Sequence, residues 1–174
     1  YNVNIDTVNT FDSQGAANAT FSDNFDDNSL SASWTASGST GKIFERSHRL
    51  EVNHSTISGD YNQVTTGSAY DINESNFFVR LLDAGNQALT SHGAIFFMRK
   101  NGDDTNKVFF TVTSSVIQCY IVVATVQTQV GSDVAYDAAV HKWLRFREAG
   151  TTIYWDYSTD GSSWTNITSF LNPF

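Results

Sequence analysis

The chain has 174 residues, of which 40% are hydrophobic and 14% aromatic, a length and composition that suit one domain with one hydrophobic core. Its 10 basic and 18 acidic residues give a net charge of −8, which excludes nucleic acid as an expected partner because the phosphate backbone would be repelled. Phe, Tyr and Trp greatly outnumber Met, and this balance is typical of β-sheets.

Residues 1–20 are rich in Asn, Asp, Thr and Ala and contain few apolar side chains. This composition predicts a linker or an edge segment over residues 1–20, followed by one domain over residues 21–174. No apolar stretch approaches the roughly 20 residues that a membrane helix needs, and residues 1–6 do not resemble a signal peptide. We therefore expect a soluble module, without membrane insertion, excised from a larger multidomain protein.

From residue 21 onward, short β-like runs alternate with turns of Gly, Asn, Asp and Ser, a pattern typical of an antiparallel sandwich. We expect the apolar runs at residues 77–82 and 94–98 to be buried on both faces. Helical spacing is nearly absent, and its best candidate is one turn at residues 28–34 with Asn28 as the cap. The strands predicted in this part of the chain lie at residues 49–53, 62–66, 77–82, 94–99, 107–112 and 116–123.

A β-hairpin late in the chain is the clearest local signal. Residues 141–148 and 151–157 alternate between apolar and polar side chains, and Ala149-Gly150 between them favours a tight turn. One face would carry the core side chains and the other face polar and aromatic ones. The predicted cross-strand pairs are Phe146 with Ile153, Leu144 with Trp155, Arg145 with Tyr154, and Trp143 with Asp156.

Two segments resemble the concanavalin A-like lectin and glucanase superfamily, especially its laminin-G-like modules in bacterial and phage surface proteins. The first is Phe-Ser-Asp-Asn-Phe-Asp-Asp-Asn-Ser-Leu at residues 21–30 with Trp34, and the second is the double hairpin from Trp143 to Trp164. The resemblance implies a jelly roll of two curved antiparallel sheets that commonly binds glycans. We therefore expect an all-β fold, an antiparallel two-sheet jelly-roll sandwich with almost no helix, located outside the cell or on a virion surface such as a phage tail.

Catalytic residues are not expected. An active glucanase of this superfamily carries Glu-x-Asp-x-x-Glu on one strand, because alternation then projects its carboxylates into one cleft. None of Glu45, Glu51, Glu74 and Glu148 begins such a motif. Cys119 is the only cysteine and lies in an apolar run, so we expect a buried thiol. The four histidines lack the spacing of zinc ligands.

Calcium is the one cofactor that the sequence leaves open. Asp23 and Asp26 belong to an oxygen-rich cluster near an expected strand end, and residues 101–104 form a second cluster. Oxygen ligands of this kind suit Ca²⁺, although neither cluster follows the order of an EF-hand loop. Two interpretations stand: a structural calcium ion, or hydrated turn residues without an ion.

The non-core face of the late hairpin is the candidate glycan site. Sugar binding needs aromatic rings and planar hydrogen-bonding groups on a shallow surface. The alternative is a structural role, in which two of the candidate residues form an ion pair, a loop covers Trp143, and Tyr120 lies in the core. Loops at the rim of the sandwich would then bind the sugar instead. The candidate residues are Trp143, Arg145, Arg147, Tyr154 and Asp156 of the hairpin, with Arg80, Arg99, Gln118 and Tyr120 from neighbouring strands.

These features favour a non-catalytic carbohydrate-binding module that recognises a cell-surface or cell-wall polysaccharide, as in host adhesion by a phage tail or bacterial surface protein. Fold alone does not fix that function. Weak binding by each module would be offset by several copies on an oligomeric carrier. Two other classes stay open: a structural or protein-interaction domain of a larger assembly, and a glycoside hydrolase with an unfamiliar site.

Overall fold

The computed structural model describes residues 2–6, 23, 25–38, 43–47, 49–53, 62–67, 74–82, 94–100 and 103–174. Over these residues all regular secondary structure is β, and the strands pair antiparallel in two packed sheets. The predicted all-β, two-sheet jelly-roll sandwich is confirmed. The strands are β1 (Asn2–Asp6), β2 (Trp34–Gly38), β3 (Ile43–Glu45), β4 (Leu50–Asn53), β5 (Asn62–Thr66), β6 (Asn76–Leu81), β7 (Ala94–Lys100), β8 (Asp103–Val112), β9 (Val116–Val123), β10 (Val126–Gln129), β11 (Val134–Ala135), β12 (Trp143–Ala149), β13 (Thr152–Ser158) and β14 (Thr165–Leu171).

The larger sheet has seven strands in the order β14-β13-β12-β6-β1-β4-β3. The smaller sheet has five strands, in which β10-β9-β8-β7 are neighbours and β11 pairs with β9. β2 and β5 form a separate pair. The chain changes sheet between β6 and β7 and again between β11 and β12, so strands that are close in sequence can lie on opposite sides of the sandwich.

The hydrophobic core lies between the two sheets and is built by alternate residues of their central strands. Leu144 and Phe146 of β12 and Trp155 of β13 face this core, where the Phe146 and Phe110 ring centroids are 4.8 Å apart. Trp155 is fully buried, and its Nε1 donates to the carbonyl of Phe109 on the opposite sheet at 3.4 Å. Burial of each such side chain contributes about 1.5–3 kcal/mol.

The N-terminal strand β1 lies inside the seven-stranded sheet, where it pairs with β4 over four residues and with β6 over two. The expectation of a linker or edge segment is therefore wrong for Asn2–Asp6, while residues 7–22 fall outside the described residues. Val3 and Ile5 alternate with polar residues, which is a strand pattern. This short alternation was overlooked because the prediction was based on the average composition of residues 1–20.

The helical turn expected at residues 28–34 does not form. Asn28 has a φ of 61°, outside the right-handed helical region, and its side-chain oxygen accepts the Ser47 backbone N–H at 3.3 Å. The chain turns just before β2, where the Trp34 backbone N–H donates to the Ser31 carbonyl at 2.9 Å. Of the second oxygen-rich cluster, residues 103 and 104 are described as part of β8, and residues 101 and 102 lie outside the described residues.

The two apolar runs differ in how their outer faces are covered. Phe78 of β6 lies 5.9 Å from the ring centroids of both Trp143 and Trp164, so this strand is covered on its outer side too. Ile95 of β7 is 61% exposed. The expected burial of both faces is therefore wrong at Ile95, while Phe97 on the same side of β7 is half-buried.

The hairpin of β12 and β13 forms with a register that differs from the predicted one. Arg145 lies opposite Asp156 instead of Tyr154, and each of the other three predicted pairs is likewise displaced by two residues. The cause is the turn, which consists of Gly150 and Thr151 and thus falls one residue later than predicted. Gly150 has a φ of 61° and occupies the first turn position, where a type II′ turn requires glycine. A displacement by two keeps every side chain on its predicted face.

Candidate functional site

The outer face of the seven-stranded sheet collects six of the predicted glycan-binding residues. Alternation along paired strands brings them to one side, opposite the core. Arg80 lies opposite Trp143, and its guanidinium carbon is 5.8 Å from the Trp143 ring centre. We call this surface the hairpin face; its residues are Arg80, Trp143, Arg145, Arg147, Tyr154 and Asp156.

The charges of the hairpin face are bound to one another. Arg145 donates to Oδ2 of Asp156 from Nε at 3.1 Å and from Nη2 at 2.8 Å, and Arg147 donates to the same oxygen at 3.3 Å. Asn166 donates to Oδ1 of Asp156 at 2.9 Å. Asp156 is only 1% exposed. Buried charges depend on such partners for their stability, so a sugar could compete for them only by breaking these bonds.

Of the two aromatic rings of the hairpin face, Trp143 is covered, and the half-buried Tyr154 lies beside the Arg147 guanidinium at 3.8 Å. Trp143 is 7% exposed because the loop after β13 lies against it, and a Cβ on Gly161 would come within 3.0 Å of its ring. Asp160 closes that loop by accepting two backbone N–H groups at 2.8 Å. Trp164 stacks on the Arg145 guanidinium at 4.1 Å. The structural alternative, an ion pair beneath a shielded tryptophan, therefore describes this face.

The other three predicted residues lie on the opposite sheet. Arg99 belongs to β7, and Gln118 and Tyr120 belong to β9 of the five-stranded sheet. Their expected position beside the hairpin is wrong. The alternation of side chains along a strand predicts which face a residue lies on, but it does not predict which of the two sheets the strand joins. Tyr120 is half-buried and lies outside the core cluster.

The outer face of the five-stranded sheet carries a connected set of planar polar groups, which we call the glutamine cluster: Gln118, Tyr120, Gln129 and Asp133. Oδ1 of Asp133 accepts both amide groups, from Gln118 at 2.9 Å and from Gln129 at 2.6 Å. The Tyr120 hydroxyl donates to Oε1 of Gln118 at 3.2 Å. These bonds hold three side chains in fixed positions around one carboxylate.

Aromatic rings lie directly beside the glutamine cluster. Phe97, Phe109 and Tyr120 are cross-strand partners on β7, β8 and β9. The Phe109 and Tyr120 rings stack with centroids 5.0 Å apart and planes 17° apart. Tyr120 pairs in turn with Gln129 of β10. The half-buried Tyr120 ring thus adjoins amide and carboxylate groups on the same side of the sheet, and the Phe109 ring, 7% exposed, supports it.

The glutamine cluster presents hydrogen-bond acceptors to a ligand. The Gln118 and Gln129 amides lower the pKa of Asp133 below its ordinary value, so this carboxylate is charged at neutral pH. Within the described part of the chain, its Oδ2 and the side-chain oxygen of Gln129 accept no hydrogen bond. Both atoms are acceptors available to a bound ligand.

Sequence reasoning found Gln118 and Tyr120 but missed Gln129 and Asp133. The strand β10 that carries Gln129 follows a turn made of Ala124 and Thr125, neither of which is a typical hairpin residue. Residues 127–129 are consecutive polar residues between Val126 and Val130, so alternation gave no strand signal here. Without a turn signal, no register could place Gln129 opposite Tyr120.

The predicted calcium residues lie in the loop before β2. Asp23 accepts the Phe25 backbone N–H at 2.9 Å and the Trp34 indole N–H at 2.8 Å, so its two oxygens fasten the loop to β2. Asp26 is exposed. Within the described ranges, no group of three or more His, Cys, Asp or Glu side chains is arranged to hold a metal ion. Calcium at Asp23 and Asp26 stays a prediction.

The single cysteine has no reactive character. Cys119 is buried in the core, and this burial raises the pKa of its thiol to about 12. Since the thiolate is the reactive form, the thiol is inert at neutral pH. The expected buried thiol is confirmed.

Comparison of the chain with protein-family models, with curated proteins and with solved structures gives no match. The resemblance to the concanavalin A-like superfamily therefore stays a prediction. None of the described residues forms a helix long and apolar enough to cross a membrane.

Proposed function

We propose that the domain is a non-catalytic carbohydrate-binding module that binds glycan on the outer face of the five-stranded sheet. The observation that carries this proposal is the glutamine cluster beside the stacked Phe109 and Tyr120 rings. Pyranose rings present apolar C–H faces between hydroxyl groups, and this surface offers an aromatic ring next to fixed acceptors and donors. The hairpin face serves as structural support.

The shape and charge of the surface indicate which glycans fit it. A sheet face is shallow, which suits a segment of polysaccharide better than a small molecule that needs a deep pocket. The net charge of −8 disfavours acidic polysaccharides. The proposed ligand is therefore a neutral cell-surface or cell-wall polysaccharide, bound by a protein displayed outside the cell or on a virion such as a phage tail.

A glycan array and a whole-cell binding assay test this function, followed by calorimetric titration with the best ligand. Tyr120→Ala removes the stacking ring, and we expect the affinity to fall at least about tenfold, equivalent to about 1.4 kcal/mol. Tyr154→Ala is the matched control, because it removes the same ring from the hairpin face. We expect this control to leave the affinity unchanged.

Three results would contradict the proposal. Absence of binding to every glycan and every cell tested would remove the function itself. Loss of binding in Tyr154→Ala, with binding retained in Tyr120→Ala, would move the site to the hairpin face. Reducing ends released from a polysaccharide by the wild-type domain would instead indicate a hydrolase.

A protein-interaction domain is the second candidate function. It is favoured by β14, the edge strand of the seven-stranded sheet, on which Phe170 is 42% and Leu171 65% exposed. Edge strands present unpaired backbone groups to other chains. A dimer seen by light scattering and abolished by Leu171→Lys would favour this candidate, whereas a monomer would count against it.

A further inference from the structure

Glu45, the last residue of β3, is a buried carboxylate that no hydrogen bond of good geometry satisfies. The residue is 8% exposed, neither Oε1 nor Oε2 has such a bond, and the donor nearest in kind is the Asp27 backbone N–H, which offsets only part of the charge. An isolated charge buried in this way is very unfavourable unless a cation or several donors compensate it. The two oxygen atoms of Glu45 therefore need a compensating positive charge.

The surroundings of Glu45 add negative charge. The Asp27 carboxylate lies within interaction range of it, and Asp23 adds a further unfavourable charge. The loop that carries Asp27 is fixed against the chain after β3, since Asn28 accepts the Ser47 backbone N–H at 3.3 Å. The acidic groups of this loop and the orphaned Glu45 oxygens thus belong to one local cluster.

Glu51 is a second buried carboxylate in this region, and its charge is compensated by protein side chains. Glu51 is 1% exposed, and Arg46 and Arg49 both form salt bridges with it, the latter at 2.7 Å. Hydrogen bonding from Arg46, followed by Arg49, lowers the pKa of Glu51. Arg46, which follows Glu45 in sequence, and Arg49 thus both bind Glu51, while the charged neighbours of Glu45 are Asp27 and Asp23.

We propose that Glu45 and Asp27 bind a divalent cation, and that this cation is Ca²⁺. Both ligands supply hard oxygen atoms, which Ca²⁺ prefers, whereas zinc sites are built mainly from His and Cys. Two carboxylates are fewer than a calcium shell needs, so backbone carbonyl groups and water complete it. Asp23, whose oxygens are held by Phe25 and Trp34, contributes charge and no ligand.

The charge balance of the cluster agrees with a bound cation. The Asp27 and Asp23 carboxylates add negative charge beside the buried Glu45 carboxylate. A divalent ion reverses this balance, because it neutralises both ligands at once. The site differs from the sequence prediction, which chose Asp23 and Asp26, and it does not depend on the proposed glycan function.

Thermal unfolding of the wild-type domain in about 5 mM CaCl₂ and in EDTA tests the site, together with calorimetric titration of Ca²⁺. Extracellular calcium modules have Kd values on the order of 0.1–1 mM, so we expect Ca²⁺ to raise Tm by about 3–8 °C. Glu45→Gln should abolish this rise. In EDTA, the same variant should be at least as stable as the wild type, because a buried charge without a partner has been removed.

Glu74→Gln is the matched control, because Glu74 is an exposed acid outside both oxygen-rich clusters, and the glutamine can still accept the Gly150 backbone N–H; this variant should leave the Ca²⁺ response intact. Asp27→Asn provides a second test of the site if Glu45→Gln fails to fold. The proposal is overturned if Ca²⁺ leaves the wild-type Tm and calorimetric trace unchanged, or if both cluster variants respond to Ca²⁺ as the wild type does. Glycan titration of the same variants separates this outcome from failure of the glycan site.

Discussion

A buried charge acquires its role from its partners, as three carboxylates of this domain show. Asp156 meets Arg145 at 2.8 Å and becomes a structural anchor of the hairpin face. Glu51 forms salt bridges with two arginines and is a structural anchor of β4. Glu45 forms no salt bridge within the described residues, and its acidic neighbours are the basis of the proposed calcium site. Residue type alone distinguishes none of these cases, because each depends on the side chain that the fold places opposite.

His141 is the residue from which we expect a pH dependence of stability. It is 5% exposed, its Nδ1 accepts the Asp137 backbone N–H at 2.9 Å, and the Tyr157 ring lies 4.5 Å away. Burial lowers the pKa of His141, although the Asp137 backbone and carboxylate act in the opposite direction. The folded state then binds fewer protons than the unfolded state, so stability is lost as pH falls below about 6.5.

Urea unfolding of the wild type and His141→Gln between pH 5 and 8 checks this expectation. The free energy of unfolding of the wild type should decrease on acidification through this range, and the variant should show a weaker decrease. Asp133 and Asp160 have lowered pKa values, so they titrate below this range and do not mask the effect. Equal slopes for both proteins would contradict the assignment to His141.

At the scale of elements, two hairpins of this fold use different turns. The β12–β13 turn has Gly150 at the position that needs a positive φ. The β9–β10 turn has Ala124 and Thr125, whose φ values are 48° and 74°. Such a type I′ turn normally contains Asn or Gly, because a β-branched residue is strained there. The Asn106 side chain supports this turn by accepting the Ala124 backbone N–H at 3.0 Å.

Thr125→Gly should therefore stabilise the domain by about 0.5–1.5 kcal/mol, since glycine adopts a positive φ without strain. Thr151→Gly is the matched control in the other hairpin. Thr151 has no positive φ, so glycine there should destabilise the domain by about 0.5–1 kcal/mol through the entropy of the unfolded chain. Chemical denaturation measures both changes, and a destabilised Thr125→Gly would show that the turn is unstrained.

These turns also explain which elements the sequence could predict. Alternating runs bounded by Gly, Asn or Ser predicted β4 to β9 and the hairpin of β12 and β13. β10 was missed because Ala-Thr is no turn signal, and the register of β12 was misplaced because either neighbour of Gly150 could complete the turn. Local sequence thus predicts a strand and its two faces, whereas pairing depends on turn geometry that only the folded chain fixes.

At the scale of the whole molecule, the two outer faces of the sandwich have separate roles. The hairpin face binds its own charges and its Trp143 ring is covered, while the glutamine cluster keeps acceptors available for a ligand. The sequence identified aromatic and polar residues on both faces but assigned all of them to one. Assignment to a sheet depends on where the chain crosses between sheets, and no local pattern records such a crossing.

The N-terminal strand β1 joins the two parts of the seven-stranded sheet, because it alone lies between β6 and the β4-β3 pair. Deleting residues 1–6 should therefore remove ladder hydrogen bonds on both sides and lower Tm by roughly 5–10 °C. Deleting residues 173–174, which are exposed, is the control and should change Tm little. An unchanged Tm after the first deletion would mean that this segment behaves as the linker that its composition suggests. The loss of the Ca²⁺ response in the same deletion would further link β1 to the position of β3 and Glu45.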